Sequence, residues 1–400
     1  MNILLADKLA PLVQNHLIDS GHIVISEPTL KDDALTKALI AHQPDILVVR
    51  STKVQKEHIE ACPSLSLIIR AGAGVNTIDL QTASSKGIFV ANCPGRNAIA
   101  VAELVMGHIL NWDRHFFENI SDFRNGLWNK KTHGKAKGLL GLTIGICGMG
   151  AIGQAVAHRA KAFGIQIKAW DIALTPQRAL ELGVEYCATA LEAASDVDIL
   201  TVHLPAVEDT KGFINATLLD AMRDEGLVIN TSRNSLLNEQ DLLAAIERKG
   251  LKAGLDVFDN EPASSDTHVS SHFCNNPNVY VTHHIGASTN QATISVAEAV
   301  VHIVDTWQNT GEVLNCVNLK RTQTATCCLS VRHADKVGVL ANILEQLKAE
   351  GHNIQEMENI IFAGGAAACA RIFLVGTPSE TMIQTLEQSE NIFSCAVSTL

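Results

Sequence analysis

The sequence predicts an α/β protein: two doubly wound parallel-sheet domains, followed by a smaller domain of βαββαβ order. Three observations carry this. Short apolar runs alternate with helical stretches over residues 1–92 and again over residues 143–283. A glycine-rich turn opens the second series, and the pattern changes after about residue 318. Strands separated by helices need crossover connections, which build parallel sheets. A chain of 400 residues is also too long for one ordinary core.

In the first series the apolar runs are ILLA (3–6), HIVIS (22–26), DILVVR (45–50), LSLIIR (65–70) and GIFVAN (87–92). One long helical segment is expected from about Asn97 to Gly126. The second series runs from TIGIC (143–147) to VYVTH (279–283), and residues 290–309 are helical again, with Ile294, Ala297, Val301 and Val304 at helical spacing. Beyond the hydrophilic patch LKRTQTAT (319–326), CCLSVRH reads as a strand. VGVLANILEQLKAEG then reads as an amphipathic helix, with Leu340, Ile343, Leu344 and Leu347 on one face and Gly351 as its stop. The expected partition is residues 1–96 with 285–318 as one discontinuous domain, 97–284 as the second and 319–400 as the third.

Composition removes several function classes. A net charge of −11 argues against a broad nucleic-acid surface while leaving room for a small basic pocket. No apolar run reaches the roughly 20 residues that span a bilayer, so no membrane partner is expected. The start, MNILLADKLAP, lacks the basic and apolar regions of a signal peptide. Ten cysteines without a CxxC pair or regular spacing read as reduced thiols of a cytoplasmic protein.

TIGICGMGAIG places Gly148, Gly150 and Gly153 in GxGxxG spacing between an apolar strand and a helical run. Gly148 permits the tight turn, Gly150 lets the backbone approach a pyrophosphate, and Gly153 allows close helix–strand packing. The next strand ends in Asp171, whose carboxylate suits ribose hydroxyls and would repel a 2′-phosphate. The cofactor expected is NAD.

Three segments then fall at successive strand ends, where open α/β sheets bind ligands: Arg233 in NTSR, Asp256 and Glu261 in LDVFDNEP, and His284 in VTHHIGAST. Each alone is usually bland: an exposed Arg, a capping acid, a satisfied His. Together they outline a cleft. Arg50 and Arg70 also end apolar strands of the first series, pointing either to an anionic ligand or to interdomain ion pairs.

The ordered set VRSTKV, IRAGAGVNTIDL, NCPGRNAIAVAEL, GMGAIG, TVHLP, NTSR, LDVFDNEP and HIGAST resembles the D-isomer-specific 2-hydroxyacid dehydrogenase family over residues 1–318. The resemblance implies Rossmann-like and flavodoxin-like domains and a catalytic trio of Arg233, Glu261 and His284. It places cofactor contacts on Gly148, Gly150, Ala151, Ile152, Gly153, Asp171, His203, Pro205, Thr231, Ser232, Asp256, His284 and Gly286. Substrate contacts fall on Arg50, Ser51, Arg70, Ala73, Gly74, Asn97, Arg233 and His284. The tail resembles an ACT domain, and family members with both parts mostly oxidise 3-phospho-D-glycerate with NAD. Reductases of other 2-oxo acids and NADH-sensing corepressors remain alternatives. The resemblance also implies a homodimer through residues 97–126, extended to a homotetramer by the tail, with L-serine as effector at His333, Asp335 and Asn353.

Four positions depart from the family pattern. Asn76 and Thr77 stand where Asp and Asn are common, and Asn234 replaces the Gly that usually follows NTSR. His283 occupies a position usually held by Pro. Adjacent side chains on an extended segment diverge, so His283 and His284 are not expected to share a metal, and none is expected elsewhere. His283 is expected to be packed or hydrogen-bonded away from the substrate.

Overall fold

The computed structural model describes residues 1–262, 268–320 and 324–400. The chain divides into two compact units, Met1–Asn318 and Leu319–Leu400. Part of the hydrophilic patch 319–326 lies outside the described residues.

In the first unit, β1 (Asn2–Leu5), β2 (Ile23–Ser26), β3 (Ile46–Val49), β4 (Leu67–Arg70) and β5 (Phe89–Asn92) form a 5-stranded sheet of order β2-β1-β3-β4-β5. All its pairings are parallel. Central strands buried on both faces read as continuous apolar runs, as ILVV of β3 does.

The second sheet has seven strands: β6 (Thr143–Cys147), β7 (Gln166–Trp170), β8 (Glu185–Tyr186), β9 (Ile199–Val202), β10 (Leu227–Asn230), β11 (Lys252–Leu255) and β12 (Val279–Val281). Its order is β12-β11-β10-β9-β6-β7-β8, again all parallel. Both orders reverse direction once, between β1 and β3 in the first sheet and between β6 and β9 in the second. The chain leaving the carboxyl ends of neighbouring strands diverges there and opens a crevice.

The helical segment expected as one piece is two. Helix Ala98–Arg114 stops at His115, whose φ of +50° breaks the ladder, and helix Phe116–Arg124 restarts from it. The first buries Ala102, Val105, Met106, Ile109 and Trp112 against Ile144, Ile146 and Val156. The second buries nothing and exposes Phe116, Phe117, Ile120 and Phe123. Helix Asn290–Thr310 starts on a Thr289 cap and ends at Gly311 in the left-handed region. Its packed stripe is Ala297, Val300, Ile303 and Val304, set against Val13 and Leu17, whereas Ile294 faces outward.

The second unit runs β13 (Cys327–Ala334), helix Val339–Ala349, β14 (Ile354–Ile361), β15 (Ala367–Leu374), helix Glu380–Glu387 and β16 (Ile392–Thr399). The antiparallel sheet has the order β14-β15-β13-β16. Ile343, Leu347, Met382 and Leu386 cover Leu329, Val331, Ala370 and Ile372.

Close packing in the second sheet is tightest at Gly145 of β6. A Cβ there would lie 2.1 Å from the Ala193 carbonyl oxygen, a backbone atom unable to move alone. Gly145→Ala should destabilise the protein by about 1–3 kcal/mol, the usual cost of overpacking. The check is a lower urea midpoint at unchanged slope, and an unchanged midpoint would contradict this packing.

Candidate active site

Both switch points carry candidate residues. Beyond β6, Gly148 turns with φ +100°, and a Cβ on it would meet the His203 carbonyl oxygen at 2.5 Å. Gly150 is the N-cap of helix Ala151–Ala162, and a Cβ on it would meet nothing within 4 Å, which leaves an open backbone face there. Gly153 sits so close to the turn that a Cβ would lie 1.9 Å from Gly148 O. Asp171 accepts from Met149 N at 2.7 Å and Ala173 N at 2.8 Å, tying the glycine turn to the end of β7. Burial lowers the His203 pKa to about 4, so its ring is neutral near pH 7. Its Nδ1 and the Thr231 hydroxyl are both buried without a partner among the described residues. Ala151 and Ile152 begin the helix, while Pro205 is exposed beyond β9.

At the end of β10 a buried amide shapes the Arg233 turn. Asn230 Oδ1 accepts from Ser232 N at 3.0 Å, and its Nδ2 donates to Arg233 O at 2.9 Å. Ser232 Oγ donates to Val202 O at 2.7 Å, and Arg233 Nη1 donates to Ser232 O at 2.6 Å. The other end of the guanidinium reaches the first sheet, where a Cβ on Gly74 would lie 2.6 Å from Arg233 Nη2. Only glycine lets the group lie on that backbone.

Glu261 and His284 meet. Glu261 Oε2 is 2.8 Å from His284 Nδ1, and Glu261 Oε1 accepts from Phe258 N at 3.3 Å. A carboxylate on Nδ1 fixes the proton there and leaves Nε2 with a lone pair able to take one up. The His284 side chain is 52% exposed, open to the cleft rather than packed. His284 itself has φ +52°, and its loop is held by buried Asp256. That carboxylate accepts from Thr282 Oγ1 at 2.6 Å, Ile285 N at 2.8 Å and Gly286 N at 2.7 Å. Asp256, which sequence reasoning assigned to the cofactor, finds these three partners for its side chain in the His284 loop. Beneath it, His108 fills the space that Gly254 leaves, and burial lowers the His108 pKa to about 4.

Across the cleft, Asp7 beyond β1 organises the Arg50 loop. Its carboxylate accepts from Arg50 N, Ser51 N, Ser51 Oγ and Thr52 N. Burial works against its charge, but these four bonds outweigh burial and hold the carboxyl below its usual range. Arg70 folds back over Gly72, where a Cβ would lie 1.5 Å from Arg70 Nη1. Burial, then the nearby charges of Arg233 and Arg50, lower the Arg70 pKa, which places Arg70 in the field of both other guanidinium groups. Asn92 Nδ2 donates to Ala73 O at 2.6 Å and fixes the intervening loop. Asn97 begins helix Ala98–Arg114 with no side-chain cap bond.

The comparisons agree with this geometry. Residues 106–286 match the family described as D-isomer specific 2-hydroxyacid dehydrogenase, NAD binding domain. Hydroxypyruvate reductase of Thermotoga maritima is 40% identical over 279 residues, which are 69% of this chain and 88% of that protein. The chain belongs to the D-isomer-specific 2-hydroxyacid dehydrogenase family. D-3-phosphoglycerate dehydrogenase of Bacillus subtilis is 34% identical over 321 residues, covering 79% of this chain and 59% of that longer protein. The crystal structure of NAD+-bound 3-phosphoglycerate dehydrogenase of Entamoeba histolytica aligns with a TM-score of 0.66 at 26% identity, covering 80% of this chain and 99% of that one.

This dehydrogenase uses NAD. The residues fit: the bare Gly150 backbone at a helix N-terminus suits a pyrophosphate, the His203 carbonyl packs against the Gly148 turn, and His203 Nδ1 and the Thr231 hydroxyl are buried and unpartnered beyond β9 and β10. Among the described residues no group of three or more His, Cys, Asp or Glu side chains could hold a metal ion.

Two departures resolve locally. Asn234 opens a short 3-10 turn, Asn234–Leu236, without a positive φ, so no glycine is required. His283 is exposed and makes no hydrogen bond among the described residues, against the expectation that it is packed or paired. In the second unit His333 is buried with both ring nitrogens engaged, Nδ1 with Ala334 O at 2.8 Å and Nε2 with Asn359 Oδ1 at 3.1 Å. Asp335 and Asn353 are exposed. The sequence reading missed Asn230, Asp7, Asn92 and Asn359. The first three share a signal, a polar residue at or just beyond the end of an apolar strand.

With Nε2 of His284 as the free base, His284→Ala should lower turnover by roughly 10²–10⁴-fold. NADH affinity and the turnover of His283→Ala should stay near parental values. Steady-state NADH oxidation with NADH titration checks this, and an equal loss in both variants would assign the proton to the wrong ring.

Proposed function

We propose that this dehydrogenase oxidises 3-phospho-D-glycerate to 3-phosphohydroxypyruvate, the entry reaction of L-serine synthesis. The observation carrying the substrate class is that buried Arg70 lies in the field of Arg233 and Arg50, an arrangement that suits an anion carrying more than one carboxylate charge. In this reading Arg233 pairs with the substrate carboxylate in a two-pronged bond, aligning the hydroxyl carbon. Arg70 and Arg50 take the phosphate, with Ser51, Ala73, Gly74 and Asn97 lining the pocket. His284 Nε2 takes the hydroxyl proton, and Glu261 stabilises the resulting imidazolium through Nδ1. Bound NAD supplies the hydride acceptor. In the reverse direction His284 returns the proton to the carbonyl oxygen.

The same reading assigns residues 1–96 with 285–318 to substrate binding, 97–284 to NAD and 319–400 to an ACT-like regulatory domain, in a cytoplasmic enzyme. The βαββαβ order of the tail supports the last assignment. A homodimer through the helices of residues 98–124 would cover Phe117, Phe123 and Trp128, which are 72%, 71% and 79% exposed. Pairing of the tails would extend it to a homotetramer. L-serine is the proposed effector at His333, Asp335 and Asn353, and inhibition by millimolar L-serine tests it. The internal pairing of His333 favours instead a tail kept for assembly. A second substrate reading, reduction of hydroxypyruvate or glyoxylate, is favoured by the 40% identity to a hydroxypyruvate reductase.

NADH oxidation with phosphohydroxypyruvate, hydroxypyruvate, glyoxylate and 2-oxoglutarate separates the readings. A tenfold or greater preference in kcat/KM for an unphosphorylated acid would overturn the first. Arg70→Ala should raise KM for the phosphorylated substrate by roughly 10–100-fold, the loss of one charge-assisted contact. Its KM for glyoxylate should barely change, and an equal rise for both would remove Arg70 from the phosphate site.

A further inference from the structure

The Arg233 turn and the Glu261 loop leave adjacent strands and then part. The last main-chain bond between them is Asp256 N to Asn230 O, at 3.0 Å. Each is internally fixed. On one side the Asn230 amide holds Ser232 and Arg233. On the other, Asn260 turns with φ +59° and Glu261 Oε1 accepts from Phe258 N. Beyond the strands, Asn234 Nδ2 donates to Asp259 Oδ1 at 2.9 Å, and Glu239 Oε1 accepts from Asp259 N at 2.7 Å.

We propose that Asn234 and Asp259 are a positioning pair, which sets the Arg233 guanidinium at a fixed spacing from the Glu261–His284 couple. This rests on the reading that Arg233, Glu261 and His284 carry the reaction, but not on the identity of the substrate. Asn234 is one residue after Arg233 and Asp259 two before Glu261, so their bond joins the two loops near the groups that must act together. The junction also has an electrostatic demand. Burial raises the Glu239 pKa; the main-chain bond from Asp259 works against that rise, and the Asp259 charge adds to it. Two acids crowd one turn there, and the Asn234 amide is the side-chain donor that meets Asp259. Without that donor the Asp259 side chain loses its tie to the Arg233 turn, and only the main-chain bond to Glu239 still holds the Glu261 loop there. The reacting hydroxyl must lie between Arg233 and His284, so a shift of about an ångström is enough to cost turnover.

The test is a charge-swap cycle in the full-length protein, using whichever 2-oxo acid the parent reduces fastest. Asn234→Ala should lower kcat about tenfold, within the range that misplacement costs. NADH affinity and Tm should stay at parental values. Asn234→Asp should be at least as poor, because it sets two carboxylates face to face. Adding Asp259→Asn to Asn234→Asp rebuilds the bond with donor and acceptor exchanged, and kcat should return to within about threefold of the parent, the coupling expected of residues in contact. The pair is dismissed if Asn234→Ala keeps kcat within twofold, if the double variant is no better than Asn234→Asp, or if Tm falls in step with kcat. His284→Ala run alongside separates the two hypotheses: retained turnover there defeats the site reading itself, whereas its loss beside an unaffected Asn234→Ala defeats only the pair.

Discussion

A buried carboxylate must have its charge met, and at Asp256 the donors that meet it lie on one loop. Thr282, Ile285 and Gly286 all donate to it, so satisfying the acid fixes the chain on both sides of His284. A ring with φ +52° at its Cα, on an exposed turn, would otherwise have little reason to hold one orientation. The Asp256 anchor sets the loop, and Glu261 sets the ring. Removing either leaves the other without its purpose, because an oriented imidazole needs both a fixed backbone and a fixed tautomer.

Opposite this acid-anchored loop, the first sheet presents positive charge. Arg70 and Arg233 lie over glycine backbones, and Asp7 is spent on the main chain of the Arg50 loop rather than on a guanidinium. Had Asp7 paired with Arg50 or Arg70, the cleft would be closer to neutral. Turning the acid toward amides instead keeps the cationic field available to an anion, at the cost of repulsion among the arginines in its absence. The net acidity of the whole chain is thus compatible with a locally basic pocket, because Asp7 offsets the field at Arg70 less than the burial and the two neighbouring guanidinium groups that oppose it.

Much of this was legible in the sequence. The parallel sheets follow from apolar runs alternating with helices, and the glycine turn from its spacing and flanks. The positions of Arg233, Glu261 and His284 at successive strand ends follow from the rule that ligands sit at carboxyl edges. What was misread was local. The helix expected over 97–126 breaks at His115, which no glycine or proline marks. Ile294 has the right spacing for a buried stripe and faces outward, because helix Asn290–Thr310 is rotated to pack its Ala and Val positions on Val13 and Leu17.

The sequence by itself determined the fold class, the cofactor turn and the types of residue that face the cleft, because each depends on periodicity or short-range spacing. Only the tertiary structure decided how those residues are used. That Asn230 clamps one loop, that Asp256 serves the histidine loop, that His283 is left free while His284 is paired, and that Arg70 lies in the field of arginines from both sheets are long-range facts. They arise where strand ends distant in sequence converge, and no local pattern records which partner a buried polar group will find there.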